Sequence, residues 1–286
     1  MYLKERPENG NKGTFGRALV IAGSYGMAGA ATFAAKAVYR SGAGLCRVLT
    51  PEENRVIVQT AVPEALVTLY REDRPDPALI REAIDWATVI LIGPGLSLSA
   101  TAAFLLSEVR KESEKPVVYD ADALNLLAKE EQSGVRFKEN DVLTPHIGEF
   151  SRLTGLSRET VKADREKAAS EFAAAHGGVL VLKDHVTLVA AKSFAPFLYE
   201  GNNSGMATGG SGDVLSGIIT GLLATGHDAF SAAVLGVLLH GRAGEIARGA
   251  LGAYSMMASD ILDALPEAFM EREREQLWKK DSLNDY

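Results

Sequence analysis

Short runs of Val, Ile and Leu, apolar at nearly every position, alternate with helix-period segments over most of this chain. The runs are Ala18–Ala22, Leu45–Leu49, Ala65–Leu69, Val89–Ile92, Val117–Tyr119, Val142–Leu143 and Val179–Leu182. A strand with one face in water would alternate apolar and polar residues; these do not, so both faces must be covered. Between them, Thr32–Arg40, Ala78–Trp86, Ala100–Lys111, Ala123–Lys129 and Arg158–His176 carry helical spacing. The alternation predicts an α/β fold, a mainly parallel central sheet with helices on both faces. After Lys183 the pattern changes: His185–Ala191 and Ala195–Tyr199 read as a strand pair, then Ser211–Ala224, Asp228–Arg248 and Ser255–Met270 as helices. The charged segment Glu271–Tyr286 is expected to be a frayed helix end and a loosely ordered tail. With no internal repeat and no Pro-rich linker, residues 1–286 are expected to form one domain.

Composition narrows the partners. The formal net charge of −7 argues against a general nucleic-acid or anionic-membrane surface, while leaving room for a small anionic ligand held locally. The single Cys46 excludes an internal disulfide and fits a reducing compartment. The charged stretch Met1–Glu8 lacks the apolar core of a signal peptide. The most apolar region, Val214–Leu239, is interrupted by Gly217, Gly221, Gly226, His227 and Asp228, so it reads as two buried helices around a turn. A cytoplasmic protein without membrane or nucleic-acid partners is expected.

Residues 209–213 read Gly-Gly-Ser-Gly-Asp and lead into the apolar run Val214–Ala224. Glycines let the backbone turn tightly and approach a ligand closely. A helix starting near Ser211 would present unpaired amides and its positive dipole end, a ready anion site. An acidic residue there would repel a bound phosphate unless it has a chemical task. Asp213 could take the proton of a hydroxyl about to attack that phosphate, which suggests phosphoryl transfer to a hydroxyl. A flexible loop merely capped by Asp213 is the alternative.

Ligands of open α/β sheets gather at the carboxyl ends of the strands. Five candidate strands run into unusual segments there: Gly23–Ala30, Gly93–Leu96, Asp120–Asn125, Thr144–Glu149 and Lys183–Thr187. A tight turn explains any one of them; five on one edge point to a site. The G-x-G-x-x-G fingerprint, the Walker-type loop, zinc-spaced His/Cys clusters and the G-x-S-x-G elbow are all absent. Asp120 and Asp122 could hold a metal or a ribose, or Asp122 could cap a helix. Glu149 could carry a hydrated Mg²⁺ or cap the next helix, and His146 could touch ligand or be structural. Lys183 ends an apolar strand, where a buried ammonium needs an anionic partner such as a nucleotide phosphate. His240 is expected to pack or bond internally, and His176 and His227 to sit at a helix end and a turn.

Several motifs occur in order along the chain: Lys12-Gly13-Thr14-Phe15-Gly16, Gly93-Pro94-Gly95, Asp120-Ala121-Asp122-Ala123-Leu124 and Thr144-Pro145-His146-x-Gly148-Glu149. Gly209-Gly210-Ser211-Gly212-Asp213, Leu239-His240-Gly241-x-Ala243-Gly244 and Ala258-Ser259-Asp260 complete the set. Over nearly the whole chain this resembles the ADP- or ATP-dependent NAD(P)H-hydrate dehydratases, the carboxyl-terminal half of two-domain nicotinamide repair proteins. The resemblance implies a ribokinase-like three-layer α/β sandwich. It implies restoration of NADH and NADPH whose nicotinamide ring is hydrated at C6, with ADP or ATP as phosphoryl donor and Mg²⁺. Phosphorylating the C6 hydroxyl would turn a poor leaving group into phosphate. By resemblance, Asp213 is the base, and the amides of Gly210, Ser211 and Gly212 stabilise the transferring group. Ala30, Gly95, His146 and Asp213 would contact the hydrated dinucleotide. Lys183, Asp184, His185, Val186, Thr187 and Gly212 would bind ADP, and no residue is assigned as a metal ligand. A homotetramer, and an epimerase on a separate chain as functional partner, are also implied.

Two positions depart from the family pattern. Asn11 stands where a His commonly precedes Lys-Gly-Thr, and Asp184 replaces the Gly after Lys183. An acid beside phosphates would weaken nucleotide binding or be turned away. The rival readings are a ribokinase-like kinase leaving a stable phosphorylated vitamin precursor, and a non-catalytic dinucleotide sensor. Thr144–Glu149 and Lys12–Gly16 favour the dehydratase over the first, and Asp213 argues against the second.

Overall fold

The computed structural model describes residues 1–129 and 135–284. The first half runs β1 (Arg17–Ile21), α1 (Ala28–Arg40), β2 (Leu45–Pro51), α2 (Arg55–Ala61), β3 (Leu66–Tyr70), α3 (Pro77–Trp86), β4 (Val89–Ile92), α4 (Ala100–Glu112), β5 (Val117–Tyr119) and α5 (Asp122–Leu127). Then follow β6 (Val142–Leu143), α6 (Ile147–Thr154), α7 (Arg158–Ala163), α8 (Arg165–His176), β7 (Val179–Leu182), β8 (Val186–Ala191), β9 (Phe194–Glu200), α9 (Ser211–Ala224), α10 (Ala229–Leu251) and α11 (Ala258–Asn284). The strands form one sheet in the order β3-β2-β1-β4-β5-β6-β7-β8-β9. Pairing is parallel from β3 through β7 and antiparallel for β7-β8-β9, which bears out the mainly parallel sheet and the late strand pair.

The all-apolar strands divide their side chains between two cores, as the two-residue period of a strand requires. Ala18, Val20, Val89, Leu91, Val118 and Val181 face one core with residues of α1, α9, α10 and α11. Leu19, Ile21, Ile90, Ile92, Tyr119 and Leu182 face the other with residues of α3, α4, α5, α6 and α8. Small residues set the spacing on the first side: a Cβ at Gly217 would lie 2.5 Å from the Ala34 carbonyl oxygen, and one at Gly221 2.7 Å from that of Val38. These glycines, which interrupt the apolar run in sequence, are what lets α9 lie against α1. No described helix is long and apolar enough to cross a membrane.

Several boundaries differ from the sequence expectation. α1 begins at Ala28, so Ala30 lies in its first turn and not in the loop before it. α2 and α6 were not expected as helices. Arg158–His176 is broken at Asp164, whose carboxylate accepts from the Lys167 amide at 3.0 Å and caps α8. The expected loose tail from Glu271 is instead helical through to Asn284. Tertiary contacts hold the added turns: Arg242 pairs with Glu271, and Gln276 accepts from the Leu3 amide at 2.7 Å.

Candidate active site

β1, β4, β5, β6 and β7 are consecutive neighbours in the sheet, so all five unusual loops emerge side by side on one edge. The chain steps outward from β1 to β2 and β3, then returns to β4 on the other side of β1, making the β1/β4 edge a topological switch point. Here the Gly23 amide donates to the Pro94 carbonyl at 2.8 Å and stitches the two loops together. A Cβ at Gly95, where φ is +57°, would lie 2.8 Å from the Ala30 Cβ. Ala30 and the buried Gly95 therefore form one floor built of small residues. One turn along α1, the Phe33 ring would meet a Cβ at Gly210 at 2.7 Å, which brings the glycine turn of α9 alongside that floor.

Gly210 caps α9 in the left-handed region (φ 92°), a conformation that favours glycine, and no side chain caps the first turn. Asp213 lies in that turn. Burial, then repulsion from Asp120, pushes its carboxyl up to about 7 despite the nearby Lys183. Lys183 ends β7 and reaches back: its Nζ lies 3.3 Å from the position of a Cβ on Gly212, and 2.9 Å from Asp120 Oδ1. Burial opposes the ammonium, but Asp120, Glu149 and Asp213 outweigh it and hold its pKa above the ordinary lysine value. The anionic partner expected of Lys183 is thus Asp120, a protein carboxylate, so a phosphate is not needed to satisfy it.

The α6 terminus supplies the neighbouring wall. His146 Nδ1 accepts from the amides of Gly148 (2.9 Å) and Glu149 (3.2 Å), and Glu149 Oε2 accepts from the His146 amide at 2.9 Å, a complete capping box. His146 and Glu149 thus both cap α6. With Nδ1 accepting, a neutral imidazole carries its proton on Nε2, which lies 3.4 Å from Glu149 Oε1. Burial, then Lys183 and Arg152, holds the His146 pKa down, which favours that neutral form. Asp122 does not cap α5; its Oδ2 accepts from the Ser97 amide at 2.8 Å and braces the loop after β4.

A cleft of about 1070 Å³ opens beside these groups. Lys183, Asp184, His185, Thr187, Ser211, Gly212 and His146 line it; Val186, Gly210, Asp213, Ala30 and Gly95 lie off its wall. The site therefore has two parts, the cleft and the Ala30–Gly95 floor, with Lys183 and the glycine turn between them. The described residues hold no group of three or more side chains able to bind a metal ion.

A profile of the NAD(P)H-hydrate dehydratase family matches residues 18–267. The chain belongs to the NAD(P)H-hydrate dehydratase family. It is 40% identical over 264 residues to a bifunctional NAD(P)H-hydrate repair enzyme of Escherichia coli, covering 92% of this chain and 49% of that protein. The chain thus spans about half the length of the first relatives it matches. An ADP-dependent (S)-NAD(P)H-hydrate dehydratase of Neisseria meningitidis is 38% identical over 269 residues, 92% of this chain and 88% of that one. The crystal structure of ADP/ATP-dependent NAD(P)H-hydrate dehydratase from Bacillus subtilis, co-crystallised with ATP and Mg²⁺, superposes with a TM-score of 0.83 at 31% identity over 95% of each chain. The fold is ribokinase-like.

The departure of this NAD(P)H-hydrate dehydratase family member at Asp184 has a structural answer. Arg165 NH2 lies 3.4 Å from Asp184 Oδ2 while its NH1 donates to the Val186 carbonyl at 3.1 Å, so the added acid is met by a cation. His240, expected to pack or bond internally, does bond there, 3.3 Å from Ser211 Oγ, and also lines the cleft. Burial lowers its pKa to about 4, so the ring is neutral. Sequence reasoning missed Arg158, Lys162, Tyr199 and Met206 on the cleft wall. The first two look like a solvated helix face in sequence; their position just after the Thr144–Glu149 motif was the one available signal.

Proposed function

We propose that this chain is an ADP-dependent (S)-NAD(P)H-hydrate dehydratase. One observation carries the reading: a carboxyl with a pKa near neutrality, Asp213, stands in the first turn of a glycine-opened helix beside the Lys183 ammonium. A base poised near the working pH is suited to taking a proton from an alcohol. In this scheme Lys183, Asp184, His185, Thr187 and Gly212 bind ADP along the cleft, with Val186 in the same segment off its wall. Ala30 and Gly95 hold the hydrated dinucleotide at the switch point, and His146 meets it from the cleft wall. The C6 hydroxyl attacks the β-phosphorus of ADP as Asp213 accepts its proton, and the bond to AMP breaks. The ring nitrogen then expels phosphate from C6, and loss of the C5 proton restores the dihydropyridine. One hydrated dinucleotide and one ADP give NAD(P)H, AMP and phosphate.

The amides of Gly210, Ser211 and Gly212 would stabilise the transferring phosphoryl group, each such donor being worth roughly 3–4 kcal/mol in a transition state. With no cage of metal-ligating side chains among the described residues, Mg²⁺ fits as a companion of the nucleotide phosphates, where it would neutralise charge. The reading extends to a cytoplasmic location, a homotetramer, and an epimerase that supplies the S epimer. The test is recovery of reduced-nicotinamide absorbance from purified hydrated NADH with ADP or ATP and Mg²⁺, against a control without nucleotide. Nucleotide-dependent recovery is expected. A stable phosphate ester of an added vitamin precursor, with no recovery, would refute the reading in favour of a kinase.

A further inference from the structure

The buried pair at the centre of the site does more than satisfy Lys183. Asp120, at the end of β5, is 1% exposed. Its Oδ1 receives the Lys183 ammonium at 2.9 Å, while Oδ2 has no hydrogen-bond partner among the described residues. The backbone is bent to hold it there. Ala121 adopts φ 47° and ψ −116°, a region uncommon for a residue with a Cβ. Gly93 at φ +125° lies so close beneath that a Cβ on it would sit 1.9 Å from the Asp120 carbonyl oxygen. On the far side, the Lys183 Nζ abuts Gly212 in the first turn of α9. A buried ion pair is a poor device for stability alone, since well-packed apolar residues serve as well or better. Strained backbone that over-determines one carboxylate points to a positional task.

We propose that Asp120 is a positioning residue for the nucleotide: it holds the Lys183 ammonium at the Gly212 turn, where the ammonium meets the diphosphate of a nucleoside diphosphate, and keeps it from pairing with Asp213. The inference rests on the reading of Lys183 and Gly212 as the nucleotide's phosphate contacts. Without Asp120, the acids left acting on Lys183 are Glu149 and Asp213. The ammonium would turn to the base, phosphate would lose a fixed cation, and the base would lose its readiness to take a proton.

The experiment is a double-mutant cycle on the full chain, with ADP affinity measured by calorimetry in wild type, Asp120→Asn, Lys183→Met and the double variant. If Asp120 acts through Lys183, Asp120→Asn weakens ADP by about tenfold in the wild-type background and by less than about twofold once Lys183 is gone. Equal losses in both backgrounds overturn the proposal. Turnover supplies a readout that a merely structural role would not move. The charged groups facing Asp213 are Asp120, Lys183, Asp122 and Glu149. Neutralising Asp120 removes repulsion and frees Lys183 toward the base, so the acid limb of kcat moves to lower pH; an unmoved limb counts against the proposal. Should Asp120→Asn not fold, Asp120→Ser, which also removes the charge, replaces it in the same cycle, with the same expected and refuting outcomes. Failure of the dehydratase reading shows as absence of nucleotide-dependent recovery by the wild type, and leaves the binding cycle able to decide.

Discussion

Replacing Asp213 with Asn should make the protein more stable, and increasingly so as the pH rises. The folded chain holds the Asp213 proton up to about pH 7, whereas an unfolded aspartate releases it near 3.8. Between those values the folded state carries a proton that the unfolded state has lost, so the wild type loses stability as pH rises through that window. Each unit is worth about 1.4 kcal/mol, so the cost grows by about 3 kcal/mol between about pH 5 and pH 8, where it levels off. Asparagine cannot ionise and lacks this slope. At about 2 cal/mol/K of unfolding entropy per residue, 3 kcal/mol corresponds to about 5 °C in Tm for a chain of this length. Thermal unfolding of both proteins, without nucleotide, at the two pH values measures it directly. The advantage of Asp213→Asn over wild type should be about 5 °C larger at the higher pH, while turnover is abolished. A pH-independent difference would refute the placement of a proton-holding carboxyl in the first turn of α9. It would also remove the physical basis for assigning Asp213 as base.

The same titration sets activity: kcat of the wild type should fall as pH drops below about 7, because the protonated Asp213 cannot accept the hydroxyl proton. A pH–rate profile flat down to the ordinary carboxylate range would contradict it. Gly95→Val forces a branched side chain onto a left-handed position 2.8 Å from the Ala30 Cβ. It should raise the KM for the hydrated dinucleotide by more than about tenfold, leave ADP affinity near wild type, and cost about 1–2 kcal/mol of stability. Asp184→Gly should change ADP affinity by less than about threefold because Arg165 already meets its charge, whereas Arg165→Ala should weaken ADP several-fold by exposing that carboxylate to phosphate. Calorimetric titration of both variants separates these outcomes. Gly217→Leu should destabilise the fold by about 1–3 kcal/mol or more, read in denaturant unfolding, since even a Cβ there meets the Ala34 carbonyl oxygen at 2.5 Å.

The chain's own residues carried the architecture a long way. Strands such as Val89–Ile92 and Val179–Leu182, with no polar position to turn toward water, leave little alternative to a sheet covered on both faces. The glycines of 209–212 announce a helix entrance with exposed amides, and α9 does begin at Ser211. Local signals failed where tertiary contact decides the outcome. The segment from Glu271 reads as a loose tail because its charges have no visible partners in sequence; Arg242 and the Leu3 backbone, both distant along the chain, supply them. α6 was missed because its start is fixed by His146, an unusual cap whose role emerges only when Nδ1 meets two amides.

The candidate site divides along the same line. Sequence determined which side chains could act, because a glycine turn, a strand-end lysine and an acid are chemical facts of their own positions. It also fixed that Lys183 falls at a strand end, since that strand can be read from its apolar run. Only the tertiary structure decided which of them meet. The β1/β4 switch point brings Gly95, in the loop after β4, onto Ala30, in the first turn of α1, and the order of β5, β6 and β7 carries Lys183 back to Asp120. No spacing in the chain encodes the partner of Lys183. Burial and the neighbouring Asp120, neither visible in sequence, turn an ordinary aspartate at position 213 into a carboxyl that titrates near neutrality. The physical reason is that strand periodicity is a property of adjacent residues, whereas electrostatics and close approach belong to groups that only folding brings within a few ångströms.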